Sequence, residues 1–329
     1  MIKYIIKRII WMIPVLLGVI IVVFTITYFT PGDPIISILS TPITQEAYDA
    51  KAAELGLDKG YFMQLVTYIW NIISRFDLGK SFHNRIPITY EVAHRLPYTL
   101  KLNVLGLLLM VAIGLPLGMI SALKQYSVLD TTTTAIALFG AAIPSFILAL
   151  LCLLLFGVTL RWLPVSGLKT WKSYILPVGC PAFGGIAVFL RMTRTTMLEV
   201  IRQDYIRTAR AKGQKEGVVV RKHALRNCLI PLATVFGGFL ATLFSGSIIG
   251  ETIFGIPGMG TYLYSGIVQR DYPVINGVVF IISFVICVIN LLVDIAYGLI
   301  DPRIRSQYIS ARKKEKVIEA LQQPEQGVA

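Results

Sequence analysis

The chain has 329 residues, of which 55% are apolar and 15% are charged, and its formal net charge at pH 7 is +13. Soluble domains carry charged residues at roughly 25% of positions, so this composition excludes an ordinary soluble protein and indicates an integral membrane protein. The positive charge is expected from membrane topology and from contact with anionic lipids, and it does not indicate nucleic-acid binding.

Six apolar stretches are long enough to cross a hydrocarbon layer about 30 Å thick, which takes about 20 residues of helix. We therefore predict an all-α polytopic membrane protein with six transmembrane helices. The first stretch is too long for a cleaved signal peptide, and no small-residue cleavage site follows it. The predicted spans lie at about residues 9–29, 99–120, 132–157, 174–190, 229–249 and 275–299.

The distribution of lysine and arginine predicts the orientation of these spans, because short loops rich in these residues stay on the cytoplasmic side. Ten basic residues lie between residues 191 and 226, and six more follow the last span. We therefore predict that both termini are cytoplasmic. The short outer loops carry only Arg161, Lys169, Lys172 and Arg270.

The largest predicted outer segment, residues 31–98, begins with the turn-forming sequence Pro31-Gly-Asp-Pro34. Thr44 is placed to cap a short helix that Gly56 ends. The following stretch, residues 61–73, places five apolar or aromatic side chains on one helical face, which we expect to cover the bundle. These residues are Tyr61, Leu65, Tyr68, Ile69 and Ile72.

The sequence offers no catalytic or metal-binding motif. Gly79-Lys80-Ser81 resembles the end of a P-loop, but Ser74 stands where that motif begins with glycine, so we predict no phosphate site. Neither HExxH nor GxSxG occurs, the three histidines lie outside the predicted spans, and the four cysteines share no metal-ligand spacing. We expect no catalytic residue, cofactor or metal, and a membrane-embedded enzyme is not favoured.

Two spans contain small residues four positions apart, an arrangement that lets transmembrane helices approach closely. Gly114 and Gly118 lie in the second span, and Gly246 and Gly250 lie in the fifth. Each pair is a candidate for helix packing or gating. The pairs could form packing seams within one subunit, which we favour, or could face a second subunit.

The end of the chain contains two polar residues in its last span, Asn290 and Asp294. A carboxylate inside a membrane is costly unless it has a partner. Because Asp294 lies near the cytoplasmic end, we predict that it pairs with a basic residue there, and we assign Asn290 to an interhelical hydrogen bond. The stretch 251–260, before this span, is too rich in Gly and Pro to continue a helix in lipid. It is expected to lie outside the membrane, or to re-enter it only where protein or water can satisfy its backbone.

Residues 205–231, between the fourth and fifth spans, have the pattern of a short helix, a glycine and a second short helix. Thr208, Ala209 and Ala211 are small, so another protein's surface could approach closely. Gly213 suits the position after a helix end, because glycine adopts the left-handed conformation easily. The pattern predicts a docking element, and the alternative is a solvated basic loop that only fixes topology.

The heptapeptide Arg207-Thr-Ala-Arg-Ala-Lys-Gly213 resembles the EAA-type coupling motif of ABC-importer permeases, in the form of their dipeptide and oligopeptide branch. The chain has Arg207-Thr208-Ala209 where the general motif begins Glu-Ala-Ala, a departure that itself resembles the peptide branch. Four further features resemble these permeases in the same chain order. They are Pro31-Gly-Asp-Pro34 after the first span, Arg95-Leu-Pro-Tyr-Thr-Leu100, Glu251-Thr-Ile-Phe with Pro257-Gly-Met-Gly260, and Asn290-Leu-Leu-Val-Asp294 before Asp301-Pro-Arg-Ile-Arg305.

The resemblance implies a MetI-like type I importer core of five helices over residues 95–300, with a cytoplasmic coupling loop at 191–228. Residues 1–94 would add the first span and the outer segment, and residues 301–329 a cytoplasmic tail. The chain would then be a permease subunit in a bacterial or archaeal cytoplasmic (inner) membrane, forming half of a translocation pathway. The implied ATPase-coupling residues are Arg207, Thr208, Ala209, Arg210, Ala211, Lys212 and Gly213.

The implied partners are a second homologous permease, two cytoplasmic ABC ATPases, an extracytoplasmic solute-binding protein and membrane lipids. ATP hydrolysis would occur in the ATPases, because this sequence has no Walker A motif. The implied substrates are di- or oligopeptides, with a nickel chelate or glutathione as alternatives. A stand-alone secondary carrier is a more distant alternative, since Lys101 and Asp294 are the only ionisable groups near the spans that it could use.

Overall fold

The computed structural model describes the backbone of residues 2–38 and 44–300, with all their side chains except those of 2–4, 37, 230, 241–247 and 296–300. Regular structure in these residues is helical. The α-helices, in chain order, are α1 Ile2–Phe29, α2 Pro34–Ile38, α3 Gln45–Leu55, α4 Tyr61–Arg75, α5 Ile88–Leu123, α6 Val128–Ala142, α7 Ser145–Cys152, α8 Ile175–Ile201, α9 Asp204–Ala211, α10 Glu216–Val218, α11 Arg226–Ile253, α12 Met259–Gln269 and α13 Tyr272–Ile300. Two π-helical segments, Leu153–Thr159 and Val219–Leu225, follow α7 and α10, and a 3-10 turn, Trp171–Tyr174, precedes α8.

The long apolar helices account for the predicted membrane spans. In the described part of the chain, four are long and apolar enough to cross a membrane, and α6 with α7 forms a fifth that is bent by 99°. α11 occupies the place of the predicted fifth span, and its apolar described part is Pro231–Leu240. The all-α polytopic class is therefore confirmed, and the helices are consistent with six spans.

The third predicted span is bent because Pro144 lies between its two halves. Proline has no backbone N–H to continue the helical ladder, and the chain at Pro144 is extended, with φ −57° and ψ 131°. Pro116 and Pro181, in contrast, lie inside α5 and α8, which continue through them.

The centre of the bundle is the pair α5 and α8, which make the most extensive contact of any two helices described. Glycine on α5 permits this approach. A Cβ atom added at Gly118 would lie 2.6 Å from the Leu190 carbonyl oxygen and 2.6 Å from the Thr193 Cβ, and one at Gly114 would lie 3.3 Å from the Ile186 carbonyl oxygen. Both glycines therefore pack two helices of the same subunit together.

The outer segment forms the short helices that local signals predict. The Thr44 hydroxyl accepts a hydrogen bond from the Ala47 N–H at 3.3 Å and caps α3, and Gly56 ends α3 with φ 69°. α4 then packs Leu65 and Ile72 into a buried cluster with residues of α1, α5, α12 and α13. Tyr61, Tyr68 and Ile69 lie against this cluster, so the predicted covering face of α4 is confirmed.

Hydrogen bonds to Asp271 connect the end of the outer segment to the turn between α12 and α13. The Asp271 carboxylate is 2% exposed and accepts hydrogen bonds from the Ser81 hydroxyl at 2.5 Å and the Phe82 N–H at 3.1 Å. The His83 ring nitrogen Nε2 lies 2.9 Å from the Gln269 carbonyl oxygen and adds a contact at the same turn. The segment before α5 is thereby held on the outer side of the bundle.

Glu251 joins three helices at the outer end of the bundle. It lies in the last turn of α11, is 2% exposed, and accepts hydrogen bonds from the Thr99 hydroxyl at 2.6 Å and the Gly260 N–H at 2.7 Å. The Thr99 hydroxyl oxygen in turn accepts from the Met259 N–H at 2.8 Å. The helix ends at Ile253, inside the stretch 251–260 where the sequence predicts that the helix stops.

Candidate functional site

The predicted docking element is a short helix held against the bundle by one apolar face. α9 begins at Asp204, and its Ile206 and Ala209 are buried. The opposite face is open to solvent, with the Arg207 side chain 79% exposed. Ile206 is completely buried, because α9 packs against the bundle. The helix is therefore part of the folded subunit and not a solvated loop.

Gly213 follows α9 in the left-handed conformation, with φ 73°. Its N–H donates to the Arg210 carbonyl oxygen at 2.9 Å, which closes the end of the helix. A Cβ atom at Gly213 would meet nothing within 4 Å. The backbone conformation therefore requires glycine here, while the space around it is open to a partner.

The chain returns to the membrane through a second helical segment, formed by α10 and the π-helix that follows it. Val219, Val220 and Ala224 of this segment are buried in one cluster with Ile206 and Ala209. The cluster also contains buried residues at or near the ends of α5, α8 and α11. These are Ala122, Met197 and Cys228. The helix–glycine–helix pattern is thus present and packs against three predicted spans at once. We call residues 204–225 the coupling element, after the role that we propose for it below.

A surface ion pair connects the two helical segments of the coupling element. Arg210 contacts the Glu216 carboxylate through Nη2 at 2.5 Å and Nε at 3.1 Å, and the guanidinium holds the pKa of the Glu216 carboxyl below its usual range. The His223 ring nitrogen Nε2 lies 2.9 Å from the Gln214 side-chain oxygen. The ion pair joins α9 to α10. Because both charged groups are exposed, it contributes little to stability.

A buried ion pair lies at the same end of the bundle and ties α6 to α8. Arg194 donates to Asp130 through Nε at 2.6 Å and Nη2 at 2.8 Å. The Asp130 carboxylate also accepts from the Ser121 hydroxyl and from the Tyr126 N–H. With Asp130 3% exposed, the pair fixes the turn between α5 and α6 relative to the helix that leads into α9.

The other predicted residues fall in separate places. Asp294 pairs with Arg8, whose Nη1 lies 2.9 Å from the Asp294 Oδ2, so the predicted basic partner comes from α1. A Cβ atom at Gly250 would lie 3.9 Å from the Pro181 Cγ, an ordinary contact with α8. The Asn290 side chain is exposed and has no hydrogen-bond partner among the described residues. The surroundings of Gly246, and residues 301–329, lie outside what is described.

A partly open cavity of about 210 Å³ lies between α5, α7, α8 and α11. Its walls are mainly apolar, with Asn103, Ser145 and Glu251 as polar residues. The Asn103 side-chain nitrogen is buried and has no partner in the described part of the chain. No group of three or more His, Cys, Asp or Glu side chains that could hold a metal occurs among these residues.

An all-helical bundle of membrane-spanning length, with a solvent-exposed helical element packed on the ends of three helices, defines a polytopic membrane protein. Two family models match its sequence. Residues 114–306 match the binding-protein-dependent transport system inner membrane component, and residues 1–103 match the N-terminal part of a membrane component of the same systems. The chain belongs to this family of inner membrane transport components.

Proteins of known name are similar over nearly the whole chain. A peptide transport system permease protein of Brucella abortus is 41% identical over 309 residues, covering 92% of this chain and 98% of that protein. The dipeptide transport system permease protein DppB of Escherichia coli is 36% identical, with 93% and 99% covered. The inward-facing MetNI methionine ABC transporter shares the fold, with a TM-score of 0.56 and 22% identity over 65% of this chain and 97% of that one.

Proposed function

We propose that this chain is the permease subunit of an ATP-driven importer of di- or oligopeptides. The observation that carries the proposal is the coupling element, which has an exposed outer face and a buried inner face in one cluster with residues of α5, α8 and α11. An element of this kind can receive a partner and move three predicted spans together. The names of the relatives, peptide and dipeptide transport system permeases, supply the substrate class.

The proposed assembly contains a second homologous permease, two cytoplasmic ATPases and an extracytoplasmic solute-binding protein. Residues 95–300 would form the importer core, residues 1–94 its peripheral first span and outer segment, and residues 301–329 a cytoplasmic tail. The ATPases would dock on the coupling element, because its exposed face is a small, basic surface suited to a groove. ATP hydrolysis would take place in those subunits.

The seven proposed coupling residues divide into two roles. Six of them form the exposed surface on which an ATPase would press, and Ala209 lies beneath that surface in the buried cluster. The exposed six are Arg207, Thr208, Arg210, Ala211, Lys212 and Gly213. Movement of the ATPases would pass through Ile206 and Ala209 to the helix ends. This mechanism requires a bundle with two arrangements that the ATPases can bias.

Co-purification tests this proposal. The change Gly213→Glu places an acidic side chain on the exposed surface, so we expect the ATPases to be lost while the second permease stays bound. Gly56→Glu is the matched control, because Gly56 has φ 69° and open space around it, as Gly213 does, but lies in the outer segment. Backbone strain is therefore similar in both variants.

Three results would contradict the proposal: no ATPase accompanying even the unchanged chain, no loss of the ATPases in the Gly213→Glu variant, or equal loss in both variants. Uptake of a labelled dipeptide by the intact complex tests the substrate class separately. Absence of dipeptide uptake by a complex that takes up labelled glutathione or a labelled nickel chelate would contradict the assignment to peptides.

A further inference from the structure

We propose that α4 is an interfacial helix whose outer face lies in the lipid of the outer leaflet. Consecutive residues of an α-helix are about 100° apart around its axis, and on this basis the side chains of α4 fall on three faces. The face toward the bundle holds the covering residues described above. A second face is apolar and open, with exposures between 60% and 77%, and consists of Phe62, Met63, Val66, Trp70 and Ile73.

The third face of α4 is polar. It holds Gln64, Thr67, Asn71 and Ser74, and the first three of these line a cavity of about 530 Å³ formed with α1, α3 and the start of α13. That cavity is open and contains further polar groups such as Asp33 and Lys59. The polar face of α4 therefore borders water, and the apolar outer face lies on a different side of the helix.

The depth of α4 follows from its contacts with α1. The Tyr61 hydroxyl and the Thr25 Oγ1 are 2.7 Å apart, and the Tyr68 ring stacks on the Phe24 ring with centroids 5.8 Å apart. Thr25 and Phe24 lie about one turn and a half inside the end of α1, or about 7 Å at 1.5 Å per residue. α4 thus runs beside the outer part of a membrane-spanning helix and does not project into the outer aqueous space.

The outer face of α4 continues the lipid-facing surface of α1. Val22, Ile26 and Phe29 on the outer half of α1 are 56–68% exposed, and α4 packs beside this half. Because α1 is long and apolar enough to span a membrane, these three residues meet acyl chains. The chemistry that fits the adjoining face of α4 is therefore the same lipid, with Trp70 at the border between the apolar and polar faces, where interfacial tryptophan is favoured.

Fluorescence quenching by brominated lipid tests this inference. The full-length permease, together with the subunits that co-purify with it, is reconstituted in nanodiscs after Trp11, Trp162 and Trp171 are changed to Phe, which leaves Trp70 as the single tryptophan of this chain. The emission of the same assembly with Trp70 also changed to Phe is subtracted, because tryptophans of the other proteins in the sample emit as well. We expect lipid brominated near the headgroup end of its chains to remove most of the Trp70 emission, and aqueous iodide to have little effect.

The matched control is a Trp70→Phe, Thr67→Trp variant, because Thr67 lies on the polar face of the same helix and is also exposed. We expect iodide to quench this tryptophan more strongly than brominated lipid does. A Phe62→Trp, Trp70→Phe variant should behave like Trp70. Iodide quenching of Trp70 without lipid quenching would overturn the inference, and so would equal lipid quenching on both faces. Quenching of Trp70 by lipid in the isolated permease alone, and not in the assembly, would show that a partner subunit covers the face.

Discussion

At the scale of single residues, buried carboxylates hold the predicted spans together at both ends. Asp130 joins α6 to α8 near the coupling element, and Glu251 and Asp271 join helices and the outer segment at the opposite end. A buried carboxylate is stable only when its oxygens accept several hydrogen bonds or meet a cation. Each of these residues satisfies that condition, so each holds two or more segments of the bundle in a fixed relative position.

Loss of one member of the buried ion pair should be strongly destabilising. Arg194→Met would leave the Asp130 carboxylate buried without its cation, and breaking such a pair costs about 3–5 kcal/mol. We expect a clear fall in the thermal unfolding temperature of the purified protein. Arg191→Met, on an exposed position of the same helix, should change it little.

The double variant Asp130→Asn, Arg194→Met should recover part of the loss, because it removes the uncompensated charge as well. Equal stability of the Arg194→Met and Arg191→Met variants would show that the pair does not stabilise the fold. If the double variant loses as much stability as the Asp130→Asn and Arg194→Met single variants lose together, the two groups do not interact.

At the scale of helices, local signals in the sequence predict what lies close in the chain. Thr44 and Gly56 mark the ends of α3, and Gly213 marks the end of α9, because each of these signals acts within a few residues of its own position. The covering face of α4 follows from periodicity alone. These features depend on no distant partner, which is why they could be predicted.

Contacts between distant residues could not be predicted in the same way. Thr99 meets Glu251, and Arg194 meets Asp130, across long stretches of chain, and nothing in either local sequence specifies the partner. The pairing of Asp294 was predicted from the cost of an isolated charge, but Arg8 as its partner was not. In α4, periodicity predicts the covering face but does not indicate what the opposite face contacts.

The close packing of α5 on α8 yields a prediction at the same scale. Gly118→Ala should destabilise the bundle, because the added Cβ would lie 2.6 Å from the Leu190 carbonyl oxygen, and the backbone of α8 must move. Gly106→Ala, on the same helix but with nothing within 4 Å, should be neutral or stabilising by about 0.5–1 kcal/mol. Thermal unfolding of both variants in detergent is the measurement.

A Gly118→Ala variant as stable as Gly106→Ala would contradict the close approach of α5 and α8 at this point. The comparison separates the effect of space from the effect of helix propensity, because both variants exchange the same two residue types within one helix. A loss confined to Gly118→Ala therefore reports on packing alone.

At the scale of the whole molecule, the two ends of the bundle are built differently. The outer end is joined by Glu251 and Asp271 and bordered by α4. The opposite end carries the coupling element, in one cluster with residues of α5, α8 and α11 and braced by the Asp130–Arg194 pair. Pressure on the exposed face of α9 would therefore move the spans as a unit, which is what a permease driven by separate ATPases requires.

The measurement that tests this account most directly is site-specific photo-crosslinking in isolated membranes that contain the assembled complex. A photoreactive amino acid replaces Thr208 on the exposed face of α9, and in a matched variant it replaces Thr131 near the start of α6. Both threonines are exposed, and each hydroxyl bonds to the carbonyl oxygen four residues earlier. We expect the probe at position 208, and not the one at 131, to form an adduct with an ABC ATPase. Absence of that adduct in a complex that still contains the ATPase, or equal capture from both positions, would contradict the assignment of residues 204–225 as the coupling element.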